Sequence, residues 1–288
     1  MKELIRKILD QKQRQQVRQV LTAFCGCADK MASVFLNVWP ALWRVYVKSR
    51  LSIIQKMDYG RADVFLDVSS PFEYRVRVKS CAKEPETVAW IESFQKGDVL
   101  FDVGANVGAY ALLAAQCHQN QVRVYAFEPS FLNFSQLCKN ITLNRCHDAV
   151  IAFNIALSGK SGLEIFNYHN MMVGGAMHTL GKAIDFKKEV FTPVYRQTVL
   201  TYTMDDFIGQ FSIPPPQHLK LDVDGIEHEI LQGASKTLSD MRLKSILIEM
   251  AEDDKEMMET LLAKGFKMHA RFPQGGIALR IFNYIFTR

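Results

Sequence analysis

The 288-residue sequence lacks the cysteine patterns that mark secreted scaffolds and zinc domains. Its six cysteines include no C-x-x-C pair, and the pairs Cys117-His118 and Cys146-His147 lack the spacing of zinc ligands. The N-terminus is positively charged, but glutamine and lysine follow where a secretory signal would have an apolar stretch. We therefore expect reduced thiols and a cytoplasmic protein, large enough to bury a core without disulfides.

The sequence also lacks a membrane-spanning segment near its N-terminus. The uncharged run from Met31 to Trp43 has 13 residues, and Pro40 interrupts it. A helix needs ~20 apolar residues to cross a bilayer. We therefore expect no crossing there.

The net positive charge of the sequence is confined to the N-terminal segment. Residues 1–50 contain ten Lys/Arg and three Asp/Glu, which is a net charge of +7. The whole sequence has a net charge of +5, so the residues after 50 have a net charge of −2. Because binding to nucleic acid needs a basic surface beside the site, the core is not expected to act on nucleic acid.

Residues 1–60 are predicted to form a basic helical N-terminal extension. The pattern predicts a charged helix over residues 2–20 and an apolar helix over residues 31–48, which carries Trp43 and Tyr46. Two interpretations stay open. The apolar helix packs against the core, as such helices usually do, or it lies in the plane of an anionic membrane, since aromatic residues beside basic ones are typical there. The second would place the protein peripherally at the inner membrane surface.

Residues 61–96 are predicted to form a hairpin and a helix that lead into the core. The segment from Ala62 to Lys79 alternates apolar and polar residues on both sides of a Ser-Ser-Pro turn, which is typical of two paired strands. Pro85, flanked by acids, then begins a helix that stops at Gly97.

Residues 97–288 are predicted to form an α/β domain, because strand and helix patterns alternate along them. The predicted strands are 99–103, 122–127, 150–156, 218–223 and 245–250, and the predicted helices are 107–117, 131–143, 225–238 and 253–264. A final hairpin of residues 266–272 and 277–287 has no helix between its strands, so the last strand is reversed. These elements predict a Rossmann-like, mostly parallel seven-stranded sheet.

The segment VLFDVGANVG, from Val99 to Gly108, predicts a ligand-binding turn between the first core strand and its helix. Gly104 and Gly108 let backbone N–H groups and the helix N-terminus approach a ligand. Glu128 ends the next strand, about 20 residues further on, where an acid binds the two hydroxyls of a ribose. This combination favours a nucleoside cofactor.

The glycine turn lacks the second and third glycines of a dinucleotide fingerprint. Asn106 and Ala109 stand at those positions, where the backbone would have to approach a pyrophosphate. NAD is therefore disfavoured. S-adenosylmethionine has no phosphate, and its amino-acid part suits a turn that combines Asp102 with backbone donors.

The sequence resembles the FkbM-type methyltransferases from about Lys83 to Ala270. The resemblance rests on KEPETVAWI, FDVGANVG, AFEPS, NIALSG, VGGAM and LKLDVDGIEHEILQGA. It implies the class I methyltransferase fold, in which a reversed last strand is usual, with S-adenosylmethionine as cofactor. It also implies frequent O-methylation of sugars or other natural-product hydroxyls.

Site roles follow from this resemblance by position. Asp102, Gly104, Asn106 and Gly108 would surround the amino-acid part of the cofactor, with Ala105 between them, and Glu128, followed by Pro129, would hold the ribose. The residues that would border the adenine are Ala156, Leu157 and Ser158.

Asp222 and Asp224 lie two residues apart at the end of a strand, so both side chains are expected to face the same crevice. Asp222, or His228 one helical turn further on, is the candidate general base for an acceptor hydroxyl. Asp224 is also a candidate, but Asp224-Gly225-Ile226-Glu227 matches a helix capping box, which needs no catalysis. A divalent cation held by Asp222, Asp224 and Glu249 is the alternative use of these acids, and we do not predict one.

Residues 167–204 are too long for an ordinary crossover. Their Met171, Met172 and Met177 surround a Gly-Gly pair, and such flexible side chains adapt to apolar ligands. We predict a substrate lid, with an added strand pair that extends the sheet as the alternative.

Three competing functions were weighed. Amino-methyltransferases of nucleic acids carry an Asn/Asp-Pro-Pro-aromatic turn after the fourth strand, where this chain has LDVDG. A NAD-dependent oxidoreductase and a non-catalytic cofactor-binding protein of the same fold stay open as alternatives. The expected partner is a small-molecule or glycan acceptor.

Overall fold

The computed structural model describes residues 30–31, 40–184, 189–274 and 280–288. The chain divides into two compact units, Met1–Ser52 and Ile53–Arg288. In the smaller unit, helix α1 (Ala41–Arg50) follows Pro40. It overlaps the C-terminal part of the apolar helix predicted over residues 31–48 and extends two residues beyond it. The helix predicted over residues 2–20 lies outside the described residues. Across the described ranges, no helix has the length and apolar character needed to span a membrane.

The larger unit begins with a short antiparallel pair of strands, β1 (Ile54–Lys56) and β2 (Phe65–Asp67). This corrects the predicted hairpin, whose second strand is absent: Glu73–Arg77 form a π-helical turn, and Ser80–Lys83 form helix α2. A capping interaction explains the difference, because Ser70 Oγ accepts the N–H of Glu73 and the Glu73 carboxylate accepts the N–H of Ser69. This segment is therefore helical although its polarity alternates as in a strand.

The elements that follow are close to the predicted ones. The helices, in chain order, are α3 (Pro85–Glu92), α4 (Ala109–Cys117), α5 (Phe131–Leu143), α6 (Met204–Phe211), α7 (Glu227–Gln232), α8 (Ser235–Ser239) and α9 (Lys255–Ala263). The strands are β3 (Val99–Val103), β4 (Arg123–Phe127), β5 (Val150–Phe153), β6 (Ala156–Leu157), β7 (Gly162–Tyr168), β8 (Thr179–Leu180), β9 (Tyr195–Tyr202), β10 (His218–Leu221), β11 (Ser245–Ala251), β12 (Lys267–Gln274) and β13 (Ile281–Thr287). The helix predicted over residues 225–238 is two helices, α7 and α8, which meet at Gly233.

Seven of the described strands form one sheet in the order β12-β13-β11-β10-β3-β4-β5. Strand β10 pairs in parallel with β3 and β11, and β3 and β4 continue the parallel part. Strand β13 is antiparallel to both of its neighbours, β11 and β12. The predicted reversed last strand is therefore confirmed, and the sheet has the Rossmann-like class I methyltransferase topology.

The two faces of this sheet carry separate apolar cores. All five residues of β3 are buried. Phe101 packs with Leu219 on one face, while Leu100 packs with Val124 under helix α4 on the other. Burial on both faces is usual for a central parallel strand, and it explains why the residues of β3 other than Asp102 are apolar.

A second sheet follows the third core strand, in the order β6-β9-β7-β8. The strand predicted over residues 150–156 ends at Phe153, and Ala156–Leu157 pair instead with Thr201–Tyr202 of β9. Strands β7 and β9 pair antiparallel along their length. Strands β8 and β9 of the predicted insertion belong to this separate sheet, so the insertion does not extend the main sheet.

A buried polar network anchors helix α3 to the amino ends of the core strands. Trp90 Nε1 donates to Ser245 Oγ over 2.8 Å, and Ser245 Oγ lies 2.7 Å from His218 Nδ1. His218 Nε2 lies 2.9 Å from Asp98, whose other oxygen accepts from Lys244. Because the Asp98 carboxylate can only accept, His218 donates from Nε2. Burial lowers the pKa of His218 to about 4, so its unprotonated Nδ1 accepts the hydroxyl of Ser245.

Candidate active site

The turn between β3 and α4 brings two strand ends into direct contact. Gly104 has φ +83°, and a Cβ built on it would lie 2.0 Å from the carbonyl oxygen of Asp222 at the end of β10. Gly108 has φ +88°, and its Cβ would lie 2.4 Å from Leu137 Cδ1 on α5. Gly104 therefore requires glycine for packing as well as for backbone conformation, and Gly108 requires it for its left-handed backbone conformation.

A cavity of about 320 Å³ opens at the carboxyl ends of β3, β4, β10 and β11. This volume lies in the range of small-molecule sites, and the place is where α/β sheets bind ligands. The predicted site residues that line it are Gly104, Asn106, Glu128, Pro129, Ala156, Leu157, Asp222, Asp224 and Glu249.

Four residues predicted to contact the cofactor lie outside this lining. Asp102 and Ala105 are buried in the core, and Gly108 packs against α5. The backbone N–H of Ser158 donates to the carbonyl oxygen of Tyr202, because the chain has already entered the second sheet there. The residues that face the cavity are thus fewer than the motif positions suggest.

Glu128 is a buried carboxylate that lines the cavity next to the turn between β3 and α4. Its Oε2 accepts the N–H of Asn106 over 2.8 Å, and its Oε1 accepts the N–H of Ser130 over 2.9 Å. Burial raises the pKa of Glu128 to about 7, although the two N–H donors oppose the shift. Each oxygen keeps a lone pair for a further donor, so the carboxylate is arranged to accept two ligand hydroxyls.

Three further acids, Asp222, Asp224 and Glu249, face the same cavity. Asp222 Oδ2 accepts from Lys220 Nζ over 2.7 Å. Burial opposes ionisation of Asp222, but Lys220 holds its pKa below the ordinary value. Burial and the charge of Asp222 together raise the pKa of Glu249. Asp222 is therefore the acid of this group that stays ionised over the widest pH range.

Asp224 does not cap the following helix. Helix α7 begins at Glu227 without a side-chain cap, whereas Asp224 Oδ2 accepts the N–H of Met177 from the loop above the cavity. Burial and the neighbouring charge of Asp222 raise the pKa of Asp224 to about 6. The capping interpretation is wrong, because a tertiary hydrogen bond takes the carboxylate away from the helix end.

Lys220 is a buried cation that the sequence reasoning missed. It lies opposite Asp102 in the register of β10 and β3, and its Nζ is 3.8 Å from Asp102 Oδ1. The ammonium also lies 5.1 Å from the centroid of the Tyr110 ring. Burial raises the pKa of Asp102 to about 6 despite this cation. The lysine in LKLDVDG could have indicated this pairing from the sequence, since a lysine inside a buried strand needs acidic partners.

Replacing Lys220 with methionine is expected to destabilise the protein by about 3 kcal/mol, because it leaves the buried Asp102 and the partly exposed Asp222 without their cation. Urea unfolding of the variant measures this loss. The double variant Lys220→Met/Asp222→Asn is the matched control, and it should be less destabilised than the single variant. A single variant as stable as the wild-type protein would contradict the assigned role of Lys220.

His228 lies outside the cavity lining, which removes it as a candidate base. Its Nε2 pairs with Glu256 at 2.8 Å on the neighbouring helix α9. Across the described residues, no group of three or more His, Cys, Asp or Glu side chains has the arrangement of a metal site. Asp222, Asp224 and Glu249 therefore share a cavity without forming a ligand set.

Helical residues before the first core strand form one wall of the cavity. Phe72, Val76, Arg77 and Lys83 line it. Sequence reasoning missed all four, and it predicted a strand for the first three. Arg77 lies 5.6 Å from the centroid of the Phe72 ring. The sequence Ser70-Pro71-Phe72-Glu73 was the available signal, since a capping box with proline at its second position begins a helix.

The loop of residues 169–178 closes the cavity from above. Gly175, Ala176 and His178 line it, and Met171 and Met172 do not. The predicted lid therefore faces the cavity with small residues and an imidazole. Burial lowers the pKa of His178 to about 4, and its Nδ1 accepts the N–H of His169.

Hydrogen bonds from several elements hold this loop. Arg77 donates from Nε and Nη2 to the carbonyl oxygen of Gly174, over 3.0 and 2.8 Å. Asn106 Nδ2 donates to the carbonyl oxygen of Gly175 over 2.8 Å, and Asn133 bonds both Gly174 and Gly175. The 169–178 loop is thus bonded to residues on both sides of the cavity.

The Methyltransferase FkbM domain matches residues 102–268, which is more than half of the chain. The chain belongs to the FkbM methyltransferase family. The matched range contains Glu128 and Asp222 but begins after Arg77 and Lys83. One wall of the cavity of this FkbM methyltransferase is therefore built by residues outside the family domain.

Two curated relatives of this FkbM methyltransferase have named acceptors. The hexuronic acid methyltransferase AglP of Haloferax volcanii is 26% identical over 188 residues, which cover 64% of this chain and 70% of AglP. The 31-O-demethyl-FK506 methyltransferase FkbM of Streptomyces tacrolimicus is 27% identical over 204 residues, which cover 60% of this chain and 74% of that protein. A solved precorrin-6y C5,15-methyltransferase from Geobacter metallireducens is 14% identical, with a TM-score of 0.42 over 71% of this chain and 86% of its own.

Proposed function

We propose that this protein is an S-adenosylmethionine-dependent methyltransferase that methylates a hydroxyl group of a sugar, glycan or other natural-product or lipid-linked acceptor. The observation that carries the proposal is one cavity that combines Glu128, a buried carboxylate with one backbone donor on each oxygen, with Asp222, whose pKa is lowered by Lys220. The names of the two curated relatives support it, since one acts on a hexuronic acid and the other is a 31-O-demethyl-FK506 methyltransferase.

The residues on the cofactor side fit S-adenosylmethionine. Glu128 would accept the two ribose hydroxyls, because each of its oxygens has one backbone donor and one lone pair left. Ala156 and Leu157 would border the adenine, and Gly104 and Asn106 lie beside the amino-acid part. When bound, S-adenosylmethionine supplies an activated methyl group on a sulfonium sulfur.

Asp222 is the residue we propose as general base. The acceptor hydroxyl forms a bond to the methyl carbon while the carbon–sulfur bond breaks and its electron pair stays on sulfur. The hydroxyl proton passes to Asp222. The O–H group of the acceptor becomes strongly acidic as its oxygen gains the methyl group. Even a carboxylate whose pKa is lowered, such as Asp222, can therefore accept the proton. Asp222 also orients the acceptor, which is most of what methyl transfer requires.

The character of the cavity supports a small-molecule or glycan acceptor rather than nucleic acid. Its lining includes four acids, Glu128, Asp222, Asp224 and Glu249, against two cations, Arg77 and Lys83. An excess of carboxylates beside the site repels a phosphate backbone. Carboxylates accept hydrogen bonds from sugar hydroxyls, and the His178 imidazole, whose Nδ1 already accepts from His169, can donate one from Nε2.

Calorimetric titration tests the cofactor assignment. We expect binding of S-adenosylmethionine and S-adenosylhomocysteine at pH 8 and no binding of NAD. Because the ribose hydroxyls donate to ionised Glu128, whose pKa is about 7, affinity should fall as the pH drops below 7. The loss should reach about tenfold at pH 6. Binding of NAD alone would overturn the proposal, and affinity independent of pH would remove Glu128 from it.

Binding without methyl transfer to any uronic acid, hexose or lipid-linked sugar would favour a non-catalytic cofactor-binding protein.

A further inference from the structure

Helix α1 of the smaller unit has an exposed apolar surface. Leu42 is 78% exposed and Val45 is 64% exposed, while Trp43 and Tyr46 are 55% and 51% exposed. No residue of α1 is buried. Four large apolar side chains on three turns of one helix are more than the scattered apolar residues of an ordinary soluble surface.

The side chains of α1 are sorted by face. At about 100° per residue, Leu42 and Tyr46 lie one turn apart, and Trp43 lies beside them on the same apolar arc. Arg44 and Lys48 are also one turn apart, and they form a separate basic stripe. This stripe lies on the face opposite the apolar arc, and Arg50, the last residue of the helix, lies beside Tyr46. A helix with an apolar arc and basic residues on its polar face is typical of a helix that lies in the plane of a membrane surface.

The aromatic residues of α1 form a small cluster of their own. The rings of Trp43 and Tyr46 are 6.0 Å apart in an edge-on arrangement, and the guanidinium of Arg50 lies 5.3 Å from the Tyr46 ring centroid. Tryptophan and tyrosine favour the boundary between lipid headgroups and acyl chains, because one end of each side chain is apolar and the other is polar. A basic residue beside them reaches the phosphates.

Charge decides which surface this helix fits. Residues 1–50 carry a net charge of +7, whereas the remainder of the chain carries −2. An anionic lipid surface attracts the first segment, with about 1 kcal/mol for each basic residue near the membrane, and does not attract the rest. The attraction therefore orients the protein with its N-terminal segment toward the membrane.

We propose that α1, together with the basic residues that precede it, docks on an anionic lipid surface with Leu42, Trp43 and Tyr46 inserted at the headgroup boundary. The proposal goes beyond the methyltransferase reaction and does not depend on it. It adds a location: the enzyme works beside a membrane that holds anionic lipid.

Cosedimentation of the full chain with lipid vesicles tests this proposal. We expect binding to vesicles of phosphatidylcholine with about 30% phosphatidylglycerol, weak binding to phosphatidylcholine alone, and release at about 0.5 M salt. The variant Trp43→Ser/Tyr46→Ser should lower the partition coefficient at least about tenfold, as should Arg44→Glu/Lys48→Glu. The matched control is Met241→Ser/Leu262→Ser, which removes two exposed apolar residues of the larger unit and should bind like the wild-type protein.

Three outcomes would overturn the proposal. The wild-type protein fails to bind anionic vesicles, the α1 variants bind as well as the control, or neutral vesicles bind equally well. Sedimentation velocity without lipid separates a fourth case, because a wild-type dimer that becomes monomeric in Trp43→Ser/Tyr46→Ser would assign this surface to self-association. Calorimetry with S-adenosylmethionine on the same variants keeps a failure here distinct from a failure of the cofactor assignment.

Discussion

Replacing Glu128 with alanine is expected to weaken binding of S-adenosylmethionine at least about a hundredfold. The variant loses two charge-assisted hydrogen bonds to the ribose hydroxyls, each worth about 1.5–3 kcal/mol. It also leaves the N–H groups of Asn106 and Ser130 without their acceptor, so the turn that shapes the cavity loses its anchor. Calorimetric titration measures the affinity, and urea unfolding measures the accompanying loss of stability.

Two further variants separate the binding effect from the structural one. Glu128→Gln keeps one carbonyl oxygen as an acceptor, so it should fold more stably than the alanine variant and still bind the cofactor poorly. Glu259→Ala removes an exposed acid on α9 and should change neither quantity. If Glu128→Ala binds the cofactor as tightly as the wild-type protein, the ribose assignment is wrong.

Replacing Asp222 with asparagine is expected to leave cofactor binding within about threefold of wild type and to lower the rate of methyl transfer by about 10²–10⁴-fold. The amide has the shape of the carboxylate but cannot accept the hydroxyl proton. Lys220 keeps Asp102 as a buried partner, so the fold should tolerate the change. Transfer is measured by incorporation of labelled methyl into the acceptor under single-turnover conditions.

Asp224→Asn is the matched control, since it removes a carboxylate from the same cavity. Asp224 bonds the backbone of Met177 and is not held ionised by a lysine, so its replacement should reduce transfer by less than about tenfold. Equal losses in the two variants would indicate a general effect of cavity charge, and a fully active Asp222→Asn enzyme would exclude Asp222 as the base.

The central strands and their helices could be predicted from the sequence. Strand β3 and helix α5 have the predicted bounds, because continuous apolar burial and a serine cap are local signals. The reversed last strand also follows from local information, since two strands joined without a helix must run antiparallel. Glu128 was found because the spacing between a glycine turn and the next strand end is fixed by the fold.

Positions decided by tertiary contacts could not be predicted in the same way. Asp102 sits in the glycine motif, yet alternation along β3 turns it toward Lys220 in the core and away from the cavity. Asp224 has a capping sequence, but the 169–178 loop supplies a better donor. In both cases the competing partner is distant in sequence, so a local pattern cannot reveal it.

The prediction for the segment that contains Arg77 was wrong for a different reason. Residues 72–79 alternate strictly, and a period of two favours a strand unless the preceding cap is weighed against it. The hydrogen bonds between Ser70 and Glu73 decide in favour of the helix. A start signal therefore outweighed polarity alternation in this segment.

The bonding of the 169–178 loop has a kinetic consequence. Asn106 holds Gly175 beside the proposed cofactor site while Asp224 holds Met177 beside the proposed acceptor site, so opening of the loop for one ligand would loosen the contacts around the other. We expect exchange of the two ligands to share a single opening motion. Turnover would then be limited by how often that motion occurs rather than by the chemical step.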